Sequence, residues 1–132
     1  MNWLVRALRQ DRAERYPGKG ILAFFWDGGA PAPHGIKDLS SSGAYIYATE
    51  RWYVGTVLDM SFRETVRPAK GTPQETLLFT IPCRVVRHGP DGMGVAFQVR
   101  NPQQQDAVRT LLSRMDRERA MRALGKVIYS AS

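Results

Sequence analysis

The chain has 132 residues, 43% hydrophobic and 23% charged, which fits one globular domain and excludes wholesale disorder. Its single cysteine, Cys83, excludes an internal disulfide, and the longest apolar run, Ile21 to Trp26, is far short of the roughly 20 residues that cross a bilayer. The N-terminus lacks the apolar stretch of a secretory leader, so the sequence reads as a soluble, cytoplasmic domain with no membrane span.

The net charge of +7 is unevenly spread. Residues 1–19 hold five basic groups (Arg6, Arg9, Arg12, Arg15, Lys19) against Asp11 and Glu14. Residues 20–99 are balanced, and residues 100–132 hold seven basic groups against Asp106, Asp116 and Glu118. The excess at the two ends fits either an anionic partner met by terminal segments or two Arg-rich helices that face solvent.

Residues 2–14 place Leu4, Ala7 and Leu8 at helical spacing and predict a short amphipathic helix, ended by Pro17-Gly18. Residues 20–27 predict a strand buried on both faces, because they are aromatic-rich and lead into the hairpin signal Asp27-Gly28-Gly29. Residues 34–38 and 44–48 read as strands joined by a tight Ser/Gly turn. Over 54–63 the pattern alternates, with Val54, Thr56, Leu58, Met60 and Phe62 on one face. Pro68, Gly71 and Pro73 make 67–74 a loop. Residues 76–87 alternate again, with Leu77, Phe79, Ile81, Cys83 and Val85 sharing a face and Pro82 pointing to an edge or bulge position. After the turn Gly89-Pro90-Asp91-Gly92, the residues Met93, Val95, Phe97 and Val99 form the inward face of a last strand.

Six successive strands with no helix between them predict an antiparallel β-barrel over about 20–99, within a single domain spanning 1–132. From Pro102 the period becomes helical through Val108, Leu111, Leu112 and Met115, predicting a C-terminal helix over about 102–124 across a face or mouth of the barrel. From Asp116 to Arg122 this stripe gives way to charge, so the distal half is exposed or meets a partner.

The inventory does not favour an enzyme. His34 and His88 lie at predicted strand ends with no Cys, Asp or His at metal-ligand spacing. Cys83 falls on an apolar strand face, Ser40-Ser41-Ser42 lacks a nucleophile elbow, and Ala69-Lys70-Gly71-Thr72 lacks the upstream glycine and following helix of a P-loop. No catalytic or metal residue is expected. A single-strand nucleic-acid binder would use exposed aromatics such as Tyr45, Tyr47, Trp52 and Tyr53, but the barrel segment that carries them is neutral.

The sharpest feature is Asp38-Leu39-Ser40-Ser41-Ser42-Gly43, a D-x-S-x-x-G sequence at a strand-to-strand turn. An Arg/Lys-rich segment precedes it, and Gly92-Met93-Gly94-Val95-Ala96-Phe97 lies further on. With these residues the chain resembles the PilZ domain, the bacterial receptor module for cyclic di-GMP, from about Arg12 to the start of the C-terminal helix. The resemblance implies a six-stranded PilZ-type barrel with a C-terminal helix and the short N-terminal one. It implies that Asp38 and Ser40 pair with the N–H donors of a guanine edge while Gly43 lets base and backbone approach closely. Arginines before the barrel would take the phosphates and the other guanine edge.

The family's R-x-x-x-R motif is where the sequence departs. The arginines fall at 6, 9, 12 and 15, so the nearest equivalent is Arg15-Tyr16-Pro17-Gly18-Lys19, with Arg12 as a geometric substitute. Lysine meets a phosphate as a point charge but lacks the planar fork. The expected ligand set is thus Arg12, Arg15, Lys19, Asp38, Ser40 and Gly43, with no cofactor beyond the ligand cyclic di-GMP. Such a chain reads as a stand-alone PilZ domain whose signal passes to a downstream protein effector by ordering of the Arg segment. Besides the single-strand nucleic-acid binder, two alternatives stay open. One is a degenerate PilZ domain that has lost the ligand and binds protein through the C-terminal helix and Trp52-Tyr53. The other makes Asp38 and Ser40 turn residues that satisfy local backbone groups.

Overall fold

Period-two alternation builds the molecule. The structure, a computed structural model, describes residues 15–26, 31–50, 52–66 and 68–131, with side chains as far as Leu124. Its elements are β1 (Tyr16–Pro17), β2 (Ile21–Phe25), β3 (Ala32–Leu39), β4 (Gly43–Tyr47), β5 (Val57–Val66), β6 (Gln74–His88), β7 (Gly92–Phe97) and α1 (Pro102–Ala131). The predicted N-terminal helix, with Arg12, and the turn at Asp27-Gly28-Gly29 lie outside the described residues.

The strands pair antiparallel in the order β1-β3-β2-β5-β6-β7-β4, and β3 also pairs with β4. That extra pairing closes β2 to β7 into the expected six-stranded barrel, with β1 added along the outer end of β3. Inward positions supply a continuous core, including Phe25, Met60, Phe62, Phe79, Ile81, Val85, Met93 and Phe97. Phe62 stacks on Phe79 at 4.9 Å and meets Phe97 edge-on at 5.6 Å, an arrangement that aromatic quadrupoles favour. Burial also pushes the Cys83 thiol pKa up, which leaves it an inert core residue.

α1 seals one end of the barrel. Its start is capped as Pro102 at the first helical position requires: Gln104 N–H donates to Asn101 Oδ1 at 2.9 Å. Val108 and Leu111 are buried against the core, and Ala107, Leu112 and Met115 pack beside them. Each buried Val or Leu side chain contributes about 1.5–3 kcal/mol. The helix continues beyond the predicted 124 to Ala131.

Four details differ from strict alternation. Residue Val54 sits in an exposed turn before β5, not on its inward face. A bulge opposite Phe62 and Arg63 lets Leu78 pack on the core and leaves Leu77 56% exposed, because one extra residue reverses the facing of what precedes it. β2 is buried on one face only, since Leu22 and Phe24 are half-buried outside. Pro82 lies in an interior strand, but its carbonyl accepts from Gln98 N–H just past the end of β7, so its missing N–H faces no ladder partner.

β4 and β7 approach unusually closely. A Cβ on Gly43 would stand 2.0 Å from the Val95 carbonyl oxygen, and one on Gly92 equally close to that of Ile46. Backbone cannot step aside without opening the barrel. Gly43→Ala is therefore expected to cost about 1–3 kcal/mol, lowering Tm by several degrees in thermal denaturation with no ligand present.

Candidate functional site

The D-x-S-x-x-G residues form the turn between β3 and β4, where the barrel closes. Ser40 N–H donates to the Gly43 carbonyl at 2.8 Å. The Ser40 hydroxyl is buried, accepts from Ser42 N–H at 3.3 Å and lies 3.1 Å from the Ser42 hydroxyl. Serine here staples the turn, as small hydroxyl residues do where a chain reverses tightly. Asp38 bonds outward instead. Arg15, immediately before β1, donates from Nε to Asp38 Oδ1 at 2.7 Å, brings Nη2 onto the same oxygen, and reaches Ser40 Oγ with Nη1 at 3.4 Å.

Arg15 is held there from behind. Arg119 of α1 donates to the Arg15 carbonyl at 3.0 Å and lies over the Tyr16 ring at 4.2 Å, while the Tyr16 hydroxyl donates to Asp116 at 3.2 Å. One turn of the C-terminal helix, from Asp116 to Arg119, thus fixes the short strand that presents the arginine.

Beside this turn a groove of about 250 Å³ runs over the outer surface of β4, β7 and β6, lined by Arg15, Ser42, Gly43, Val86, Arg87 and Gly94 among others. Its far wall is Arg87, whose guanidinium lies 5.3 Å from the centre of the Tyr45 ring. Lys37 approaches the same ring at 5.4 Å. Tyr45, outward on β4, is covered by these cations rather than by a helix, and its hydroxyl donates to Asp91 at 2.7 Å. The Asp91 carboxylate and burial hold the phenol's proton and raise its pKa above 10.0.

Of the six expected ligand residues, Arg15, Asp38, Ser40 and Gly43 come together here. Lys19 is exposed in the Gly18–Gly20 turn, at the opposite end of β1 from Arg15. Arg12 lies outside the described residues. Gly43 answers to the Val95 carbonyl of β7 before any ligand. The histidines have structural partners: His34 stacks on Phe25 and bonds the Tyr47 carbonyl, and His88 bonds that of Trp52. No cluster of metal-ligating side chains occurs among the described residues, and no helix there is long and apolar enough to cross a membrane.

The PilZ domain family pattern matches residues 10–114, which takes in β1, the turn, the groove and the first half of α1. The chain belongs to the PilZ domain family. Among solved structures it is similar to the PilZ domain of CeSA from a cellulose-synthesizing bacterium, with 20% identity and a TM-score of 0.55, over 79% of this chain and 99% of that one. It is also similar to an uncharacterized Legionella protein, at 17% identity and a TM-score of 0.49, over 81% and 98% of the two chains. No curated protein matches it.

Within this PilZ domain the sequence pattern missed Arg87. Alternation from Val85 would turn residue 87 inward, but a register shift between Val85 and Arg87 carries it outside, opposite Gly94. The outward run of Gly92, Gly94 and Ala96 was the available signal that something lies across β7.

Two outcomes follow. The Arg15–Asp38 pair is 39% and 27% exposed, so screening by solvent keeps its worth below about 1 kcal/mol. Asp38→Ala should therefore melt within a few degrees of the parent in a thermal scan. For Tyr45, the unfolded phenol ionises near pH 10 while the folded one keeps its proton. Its contribution is intact below pH 10 and lost as the pH rises above it. Chemical denaturation between pH 9 and 11 should show falling stability, with a shallower fall in Asp91→Asn.

Proposed function

We propose that this PilZ domain is a receptor for cyclic di-GMP that relays the second messenger to a partner protein. The observation that carries the reading is Arg15 poised on Asp38 at the mouth of an open groove. A guanidinium resting on an exposed carboxylate is easily exchanged, because the pair is weak in water. A dinucleotide offers each partner something better. Its phosphates and the O6/N7 edge of guanine take the arginine, while N1–H and the N2 amino group donate to the released Asp38 carboxylate. Ser40, buried beneath, contributes by holding the turn in shape. Arg12 and Lys19 are left as secondary phosphate contacts. Movement of Arg15 would be felt by α1 through Arg119 and Tyr16, which gives the signal a route to the surface seen by a partner.

The reading in which the ligand has been lost is favoured by one observation, the turn's self-sufficiency: Ser40 is buried and Asp38 already has a cation. Its surface would be the distal part of α1 with Tyr53, which is 85% exposed. A single-strand nucleic-acid binder would instead show affinity that falls steeply with salt and ignores the guanine dinucleotide.

Calorimetric titration with cyclic di-GMP at physiological salt separates these. Saturable binding at micromolar concentration or tighter is expected, weakened about tenfold or more in Arg15→Ala and Asp38→Ala, since a charge-assisted contact is worth about 1.5–3 kcal/mol. No heat, together with an unchanged Tm at high ligand concentration, would overturn the receptor reading and leave the protein-binding one.

A further inference from the structure

Outward positions of β7 hold Gly92, Gly94 and Ala96, while the inward Met93, Val95 and Phe97 are buried. A strand face that meets only water gains nothing from giving up its side chains, and interior glycine weakens a strand. Strand pairing accounts for Gly92, whose Cβ would strike the Ile46 carbonyl, but not for Gly94. The nearest atoms a Cβ on Gly94 would meet belong to the Arg87 side chain, with Cγ and Nε each at 3.0 Å. Gly94 therefore makes the bed in which Arg87 lies.

The rest of Arg87's setting points to an absent anion. The β6 bulge carries it to the outer surface, where it is exposed above the Tyr45 ring. No carboxylate pairs with it among the described residues. Arg15 lines the same groove, together with Ser42, Gly43 and Ala96. Two guanidinium groups thus line one groove, one from β6 and one from just before β1. Each fork matches a phosphate.

We propose that Arg87 is a second ligand-binding arginine, which holds cyclic di-GMP together with Arg15 in the groove that both line. The inference rests on the receptor reading above. It explains how a chain whose N-terminal arginines are spaced by three still presents a pair of guanidinium groups to one ligand: the second comes from β6, not from the segment before the barrel.

Titration of cyclic di-GMP into the full chain, Arg87→Ala, Arg87→Lys and Lys70→Ala tests it. Lys70, in the loop between β5 and β6, removes the same unit charge away from the groove. Arg87→Ala should weaken binding about tenfold or more, Arg87→Lys should recover only part of this, and Lys70→Ala should stay within about twofold of the parent. An Arg87→Ala variant that binds within twofold of the parent, or a Lys70→Ala loss as large as that of Arg87→Ala, overturns this role of Arg87 while leaving the receptor reading intact. Absence of binding in the parent chain overturns both. Circular dichroism of Arg87→Ala, whose side chain is exposed, checks that any loss comes from the site and not the fold.

Discussion

Closure of the barrel through β3 is the constraint on which the other features depend. One edge of β3 pairs with β2 over residues 32–35 and then with β1 at Asp38 and Leu39, while the other edge pairs with β4. A strand that serves three neighbours must turn sharply into the next one. The Ser40 N–H to Gly43 carbonyl bond makes that turn, and the lack of a side chain at Gly43 lets β4 lie close on β7. If the turn opened, the sheet would expose two long edges and the mouth that α1 covers would lose its shape.

The same constraint sets the chemistry. Closing the ring places Asp38 on the outer edge of the turn, and it leaves one stretch of β3 for β1 to pair with. Two residues of β1 would not hold an arginine in position unaided. Arg119 and Asp116 supply what the short ladder lacks, and both follow Met115, which packs on the core. Individually these contacts are weak in water, so their value lies in fixing Arg15 and α1 to one another.

Much of this was legible because burial follows alternation. Phe62, Ile81, Cys83, Val95 and Val108 all sit where period two or period 3.6 places them. The D-x-S-x-x-G turn was legible as a turn from its residue types. Legibility failed where an extra residue enters a strand. Leu77 and Arg87 each face the opposite way from their apparent register, and both stand beside a bulge in β6. A bulge is settled by the pairing of two distant strands, so one strand's sequence does not announce it. Lys19 stands at the far end of the two-residue β1 from Arg15, in the turn that follows Gly18. The glycines carried double meaning: Gly43 and Gly94 look alike in sequence, yet one is demanded by backbone and the other by a side chain.

The uneven charge of the chain acquires a reason in three dimensions. The basic excess lies at the two ends of the sequence, around a balanced barrel. Pairing of β1 with β3 and the course of α1 bring one arginine from each of those segments together, Arg15 and Arg119, around Tyr16. Like charges are gathered there against their mutual repulsion, with Asp38 and Asp116 each compensating from one side. Those four charges balance, so the groove's excess positive charge is Arg87, and under the receptor reading that charge would draw a dianionic ligand from solution. A uniformly basic surface would hold any polyanion, whereas under the receptor reading charge kept to one groove beside a carboxylate would favour a ligand that brings phosphate and a flat hydrogen-bonding edge together.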